Sequence, residues 1–488
     1  MIFLYENCNA TPSPITFDLY YANTISEGRL VNGELILGPN FANVNDPFNF
    51  ELRNSYVQPL IQLHPDQYYN RLSYYCTEPV TGYYSAARFD PTASMIACVK
   101  WPSFTQVYSI LPVPSQPTSL TNQRLYFHYY LLFGTPRPRN CSDAFAIVAV
   151  SSDVTNITIK SSVDLVALQN GRVIINITAN SPVETVISME MKEVLWIEAV
   201  SEECKSARLT GSLVKATQEV VVFTASVQCS RSGTFNNQSH ILYQIPPSHK
   251  WGKTFISDLH QLNILPHSSK NGIVISFTLL AINVTNVIVT WYSNTEQQHN
   301  HKSKNYTLKS GQTFVVTSEN NPIAFNTSHV SIQGSNPLLV IYEVYSSLEN
   351  EVYYSVLLQP AEWFSNQQSV VLAKSQQETE QQYHITLVIP SKFFDPSKIL
   401  VSDTSQTNND VVPLDRYNDS YQGHIYTSGD FIVLYIELNS TEPDGDDKQL
   451  LISQMNPCAT LGVTVYSYAG GTTGYAYSNG YVIGNLMR

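Results

Sequence analysis

The chain predicts an all-β fold of tandem antiparallel units, β-sandwich-like and packed together, and three observations carry that prediction. First, landmarks return. Val154-Thr155-Asn156-Ile157-Thr158-Ile159 reads again as Val284-Thr285-Asn286-Val287-Ile288-Val289. Leu168-x-x-Gly171 returns as Leu308-x-x-Gly311, Gly429 opens a matching apolar run, and Asn336-Pro337 recurs at Asn456-Pro457. A unit of roughly 110–130 residues is too long for a solenoid repeat and suits a small β domain. Second, apolar residues alternate with polar ones or run continuously over strand lengths, as in Ile273 to Ala281 and Ile432 to Ile436. Third, only 14% of the 488 residues are charged, against about 25% in an ordinary soluble domain. The 31 Tyr and 20 Phe stand among Ser, Thr and Asn, a mix that suits half-buried strands with hydroxyl and amide outer faces. Long helices would carry more Glu and Lys.

Taken in order, residues 1–109 share no landmark with the rest. Their aromatic stretches, such as Phe17 to Tyr21, and the hairpin signal Asn32-Gly33 read as a separate Tyr-rich β module. Three repeats follow, over about 110–242, 243–355 and 356–482. They open at Ile110-Leu111-Pro112, at Ile245-Pro246-Pro247 followed by Trp251-Gly252, and at Leu358-Gln359-Pro360 followed by Trp363. The first two close on strands with both faces apolar, Val220 to Phe223 and Leu338 to Tyr342, while Cys458 to Gly462 interrupts the third after its Asn-Pro. Met189 to Trp196 fits either a short helix or a strand.

The net charge of −12 and the scattered Lys and Arg exclude a phosphate-binding surface, so no nucleic acid is expected. Seven cysteines (8, 76, 98, 141, 204, 229 and 458) include no C-x-x-C pair. Cys76 with Cys98 and Cys204 with Cys229 bracket strand-pair lengths and are the disulfide candidates; a loop of ~25 residues closed in this way contributes about 3 kcal/mol in the chain-entropy model. Glycosylation sequons stand at Asn9, Asn140, Asn156, Asn176, Asn237, Asn283, Asn305, Asn326, Asn418 and Asn439. Alternation sets Val173, Ile175 and Ile177 on one strand face and Asn176 with Thr178 on the other, leaving the glycan side free. An extracellular or cell-surface location is the expectation. The sequence given shows neither a signal-peptide core, nor a run of ~20 apolar residues, nor a hydrophobic anchor tail, which reads as a fragment of a longer secreted or anchored protein.

Several stretches in combination resemble the IgGFc-binding protein N-terminal domain family, found in large secreted mucus and surface proteins. Leu209-Thr210-Gly211-Ser212-Leu213-Val214-Lys215-Ala216-Thr217 with Val220 to Phe223 matches its glycine turn and strand. Ile245-Pro246-Pro247 with Trp251-Gly252-Lys253-Thr254-Phe255 matches its Pro-Pro…Trp-Gly element, and Val465 to Gly470 with Gly474 to Gly480 resembles its Gly/Tyr-rich last strands. The similarity spans about residues 122–482. It implies a non-enzymatic, extracellular, β-rich binding or adhesive module whose partner is a protein or glycoprotein, mucin-like among the options. Immunoglobulin binding is not assumed.

No catalytic signature is present: there is no H-E-x-x-H, G-x-S-x-G, Walker loop or G-x-G-x-x-G. Neither an enzyme nor a cofactor is expected. His299-Asn300-His301 offers two imidazoles in a polar stretch without a carboxylate at fixed offset, and reads as a solvated loop. Asp444, Asp446 and Asp447 gather carboxylates of the type that holds calcium, but without the spacing and terminal Glu of a calcium loop, and Asp-Gly there signals a turn. Trp251 and Trp363, placed alike in two repeats, read as core. Tyr466, Tyr468, Tyr475, Tyr477 and Tyr481 fit either an exposed aromatic face or a buried terminal strand. Against the adhesive reading stand a lectin, a structural spacer cross-linked through an odd cysteine such as Cys8 or Cys458, and, disfavoured, a glycosidase with two facing carboxylates.

Overall fold

The computed structural model describes eight strands before residue 111, then Leu111 itself and 126–134, 141–169, 172–181, 184–190, 193–199, 209–228, 241–259, 273–295, 298–318, 329–346, 352–372, 381–403, 411–416, 425–428, 430–440, 448–456, 459–469 and 473–479. For some strand residues only the backbone is described. Every described element is a strand or a single 3-10 turn, and no helix among the described residues is long and apolar enough to cross a membrane.

The early strands are β1 (Ile15–Ala22), β2 (Ser26–Val31), β3 (Glu34–Phe41), β4 (Phe48–Leu52), β5 (Leu60–Leu63), β6 (Tyr84–Arg88), β7 (Met95–Trp101) and β8 (Phe104–Ile110). They form the sheets β4-β1-β6 and β2-β3-β5-β7-β8. Val31 pairs with Glu34 across Asn32-Gly33, so the hairpin signal holds.

The next set comprises β9 (Phe127–Tyr130), β10 (Cys141–Ala149), β11 (Thr155–Lys160), β12 (Leu165–Gln169), β13 (Arg172–Ile177), β14 (Thr185–Met189), β15 (Val194–Ala199), β16 (Leu213–Ala216), β17 (Val220–Gln228) and β18 (Ile241–Ile245). Sheets β14-β11-β16-β9 and β13-β12-β15-β10-β17-β18 pack face to face, because Tyr129, Ile157, Ile187 and Val214 of one share a core with Phe145, Leu165, Ile197 and Val222 of the other. Met189 ends one strand and Val194 opens the next, so the ambiguous stretch is extended.

A second set comprises β19 (Gly252–Asp258), β20 (Ile273–Ala281), β21 (Thr285–Thr295), β22 (Gln298–Leu308), β23 (Thr313–Thr317), β24 (His329–Ser346) and β25 (Val352–Leu357). The third comprises β26 (Gln367–Leu372), β27 (Gln381–Pro390), β28 (Ile399–Asp403), β29 (Val411–Pro413), β30 (Ile425–Ser428), β31 (Phe431–Ser440), β32 (Lys448–Gln454), β33 (Gly462–Ala469) and β34 (Thr473–Asn479).

One strand plan recurs in all three sets. β11, β21 and β28 each lie between an edge strand (β14, β22, β29) and β16, the first half of β24, or β32. β10, β20 and β27 each lie between β15, β23 or β31 and β17, the second half of β24, or β33. In the second set β24 unites the strands in one seven-stranded sheet, pairing with β21 up to Gly334 and with β20 from Leu338. A side chain at Gly334 would lie 2.6 Å from the Asn336 carbonyl, and Asn336 Nδ2 donates to Val284 O at 2.7 Å. The recurring Asn-Pro therefore marks where the chain changes strand partners, Pro337 lacking the N–H that would continue the ladder. In the third set β32 ends at Gln454 and β33 opens at Gly462 in a different sheet.

Pairing also corrects one landmark. β12 and β13 are an added hairpin of the first set, so Leu168-x-x-Gly171 is not the counterpart of Leu308-x-x-Gly311. That counterpart is Met189 to Glu193. Glu190 N–H donates to Glu193 Oε2 at 2.7 Å and Lys309 N–H to Gln312 Oε1 at 2.8 Å; Glu193 O and Gln312 O then accept from Ala149 and Ala281.

The sets are joined by a Pro-initiated 3-10 turn. After β18, Pro246 and Pro247 lead into Ser248–Lys250 and Trp251; after β25, Pro360 leads into Ala361–Trp363. Trp251 and Trp363 are buried as expected, but in a cluster between sets, with Leu132, Tyr243 and Ile245 of the first and Leu280, Leu339 and Ile341 of the second. Trp251 Nε1 donates to Pro246 O at 3.1 Å. Gln244 clasps Leu111 from both sides, accepting its N–H at 2.8 Å and donating to its carbonyl at 2.9 Å. Glu362 accepts from the N–H groups of Lys253 and Thr254, at 3.1 and 3.3 Å, where the β19–β24 register shifts. A side chain at Gly252 would meet Pro360 Cβ at 2.2 Å.

Trp251→Ala should destabilise the chain by about 3–5 kcal/mol, and Gly252→Ala by about 1–3 kcal/mol through overpacking. Lys309→Ala, on an exposed turn, should stay within about 0.5 kcal/mol. Urea midpoints of the variants, compared at equal slope, check this ranking.

Candidate functional site

The outward faces of the sheets around β11 and β21 are the surfaces left for a partner. Each begins with an asparagine clamp built from the recurring Val-Thr-Asn. Asn156 N–H donates to Thr217 Oγ1 at 2.9 Å, and its Oδ1 accepts from Ser188 Oγ at 2.9 Å. Asn286 N–H donates to Ser335 Oγ at 2.9 Å, and its Oδ1 accepts from Thr307 Oγ1 at 3.0 Å. Each amide thus ties the central strand to the edge strand on one side and, on the other, to the turn where the chain changes strand partners. The preceding threonines, Thr155 and Thr285, are buried and donate to the carbonyls of Asp153 and Asn283.

Beyond the clamp, register sets the second face in rows. Asn305 stands opposite Ile288, Ser303 opposite Thr290, and His301 opposite Tyr292. Thr290 and Ser303 hydroxyls bond at 3.0 Å. Tyr292 stacks on His329 with ring centroids 4.4 Å apart and lies 6.0 Å from His301. Ile288 remains exposed. This row corrects the loop reading of His299-Asn300-His301: those residues belong to β22 and pair with β21.

The row ends at Asp258, opposite His329, where the second and third sets meet. Asp258 Oδ2 accepts from Thr386 Oγ1 at 3.2 Å, and Ile256 packs with Phe364, Val388 and Val433. Tyr466, edge-on to Tyr342, has its phenol held well above the usual range by burial, with the Asp258 carboxylate adding to the effect. His384 Nδ1 meets the Tyr435 hydroxyl. Buried carboxylates are held elsewhere too: Asp143 accepts from Leu209 N–H at 3.0 Å and Glu343 from Ser355 Oγ at 2.9 Å. Asp258 with Thr386 joins the second set to the third, and Ser355 with Tyr243 joins the second to the first, whereas Asp143 is held within its own set.

The first face carries charge instead. Glu184 lies 2.7 Å from Lys160 and 3.6 Å from Lys215, and its carboxyl is held below the usual range, first by the Lys160 hydrogen bond. At its margin His128 stacks near Tyr126 and His249 leans on Phe127. Burial, then Lys215, lowers the His128 pKa; burial, then Lys250, lowers that of His249 to about 4.

The predicted site residues are distributed as follows. Asn156, Asn176, Asn283 and Asn305 are all exposed. Val173 is exposed as well, contrary to the alternation, because a bulge between Ala167 and Leu168 shifts the register of the β12–β13 pair. Asn439 lies on β31 and Cys98 on β7, with backbone alone described. Asn9, Asn140, Asn237, Asn326, Asn418, Cys76, Cys204, Cys229, Asp444, Asp446 and Asp447 lie outside the described residues, as do Cys8, Cys458 and Tyr481. Among the described residues no three His, Cys, Asp or Glu gather as a metal site would require. Tyr466 and Tyr477 are buried on opposite faces of their strands, one against the second set and one in the third core. Gln244, Glu362 and Asp258 escaped the sequence reading, since nothing local distinguishes a polar residue that faces a neighbouring sheet.

The chain belongs to the family described as IgGFc binding protein, which matches residues 115–469. No curated protein matches the chain. Among solved structures, it is similar to the GH78 family rhamnosidase of Bacillus sp. GL1, at 10% identity and a TM-score of 0.17, over 74% of this chain and 56% of that one. The chain thus spans just over half the length of that enzyme, and a likeness at this level carries no functional argument.

Between pH 6.5 and about 4 an unfolded His249 binds a proton that the folded one refuses. Stability should therefore fall as pH drops through that window. Melting curves at pH 7.5 and 5 should show this loss, and His249→Gln should make it smaller.

Proposed function

We propose that the chain is a non-enzymatic recognition or adhesion module of an extracellular glycoprotein. Residues 110–482, in repeats of about 110–242, 243–355 and 356–482, form the binding region, and a protein or glycoprotein is the partner. The observation that carries this reading is the exposed face of β21 and β22, where rows of Ile288, Thr290, Asn305 and Ser303 end at stacked Tyr292. Hydroxyls, amides and an aromatic ring held on paired strands supply contact area at low entropic cost. Family membership supports a binding rather than a catalytic role. The family's description names an immunoglobulin fragment; for this chain that fragment is one candidate beside mucin-like glycoproteins.

The test immobilises the secreted, folded chain and titrates purified IgG Fc and a purified mucin over it. Saturable binding of either, weakened tenfold or more by Ile288→Asp with an unchanged melting curve, is the expected result. Folded protein that binds neither ligand shifts the reading to a structural spacer.

A further inference from the structure

An open sheet edge presents unpaired N–H and C=O groups and invites another strand, so exposed edges are normally blunted by short length, charge or cover. Among the described residues, the edges of the first two sets show three different cases. β14 has only five residues. β22 has eleven but exposes Lys302 and Lys304 along its length, together with Asn305. β13 is six residues long and carries its one charge, Arg172, at its first position. It is the outermost strand of its six-stranded sheet, no described strand pairs with its far side, and Val173 and Ile174 are 59% and 44% exposed. From Val173 to Ile177 it holds no charged residue. What it does hold is Asn176, exposed, at the head of Asn176-Ile177-Thr178.

We infer that Asn176 carries an N-linked oligosaccharide whose role is to close this edge. An incoming strand would sit about 4.8 Å from β13. A glycan leaving Asn176, whose register partner is Val166, would spread over the strand end where Val173 and Ile174 lie open and crowd that position. The bond is made by Asn176 Nδ2 attacking the anomeric carbon of a lipid-linked oligosaccharyl diphosphate. One amide proton is lost, and the lipid diphosphate leaves with the bonding pair. The hairpin β12–β13 has no counterpart between β21 and β22, so in the first set the sheet edge lies at β13 where the second set ends at β23. The inference rests on the extracellular reading, since only the secretory route supplies the donor.

The experiment expresses the full chain with a supplied signal peptide in eukaryotic cells, maps sequon occupancy by peptide mass spectrometry, and measures mass by light scattering after size exclusion. Asn176 should be occupied. Asn176→Gln and, independently, Thr178→Ala should convert the wild-type species to larger ones, and adding Val173→Thr with Ile174→Thr should restore it. Asn305→Gln should leave the mass unchanged because Lys302 and Lys304 remain. If a sequon variant is not secreted, enzymatic removal of glycans from the folded wild type replaces it and should produce the same increase. Occupancy at Asn156, Asn283 or Asn305 with Asn176 bare, or an unchanged mass after Asn176 loses its glycan, overturns the inference alone. Absence of glycan at every sequon overturns the extracellular reading with it.

Discussion

The sheet that holds β10 and β17, and its counterparts around β20 and β27, is buried on both faces, and the rest of the structure depends on this. In β20 all nine residues are buried: Ile273, Ile275, Phe277, Leu279 and Ala281 belong to the core of their own sandwich, and Leu280 packs in the seam toward the first set. Val388 and Val433 do the same between the third set and the second. A strand covered twice cannot alternate, cannot carry Lys or Glu, and cannot lose its neighbour without exposing apolar surface at about 25 cal/mol per Å². The low charge of the chain is a consequence of this arrangement.

The faces of β11, β14, β21 and β22 are left outward, while β19, beside the same half of β24 as β21, turns Ile256 and Asp258 to the third set. The asparagine clamps, the hydroxyl rows and the sequons Asn156, Asn283 and Asn305 all stand on or beside those outward faces. Recognition and modification therefore share one side of the architecture, while the seams hold buried polar atoms whose partners are backbone groups, hydroxyls and phenols. Glu362 shows how finely the seam is set: its carboxylate completes two N–H groups left open by a register shift in a strand from another set. Gly252 and Gly134 leave no room there, a side chain at Gly134 meeting Glu343 at 1.8 Å.

Much of this was legible in the residues themselves. Periodicity gave the β class, since strand alternation and apolar runs depend only on local geometry. Val-Thr-Asn and Asn-Pro marked real equivalences because each performs a local task, a clamp in one case and a change of strand partners in the other. Leu-x-x-Gly misled, because a turn motif recurs wherever a hairpin needs it, and pairing alone shows which hairpin is the addition. Val173 escaped its predicted face for a similar reason, as a bulge is a property of two strands. The tryptophans were read as core, and are buried, yet their neighbours come from two sandwiches.

The sequence by itself thus determined the class of fold and the recurrence of its local landmarks, both encoded by spacing along one strand or one turn. Only the tertiary structure decided which apolar faces close a sandwich and which join two, which polar residues serve the seams, and which edge stays open. Those choices arise when sheets meet, because burial depends on what lies across the interface and no residue carries that information alone.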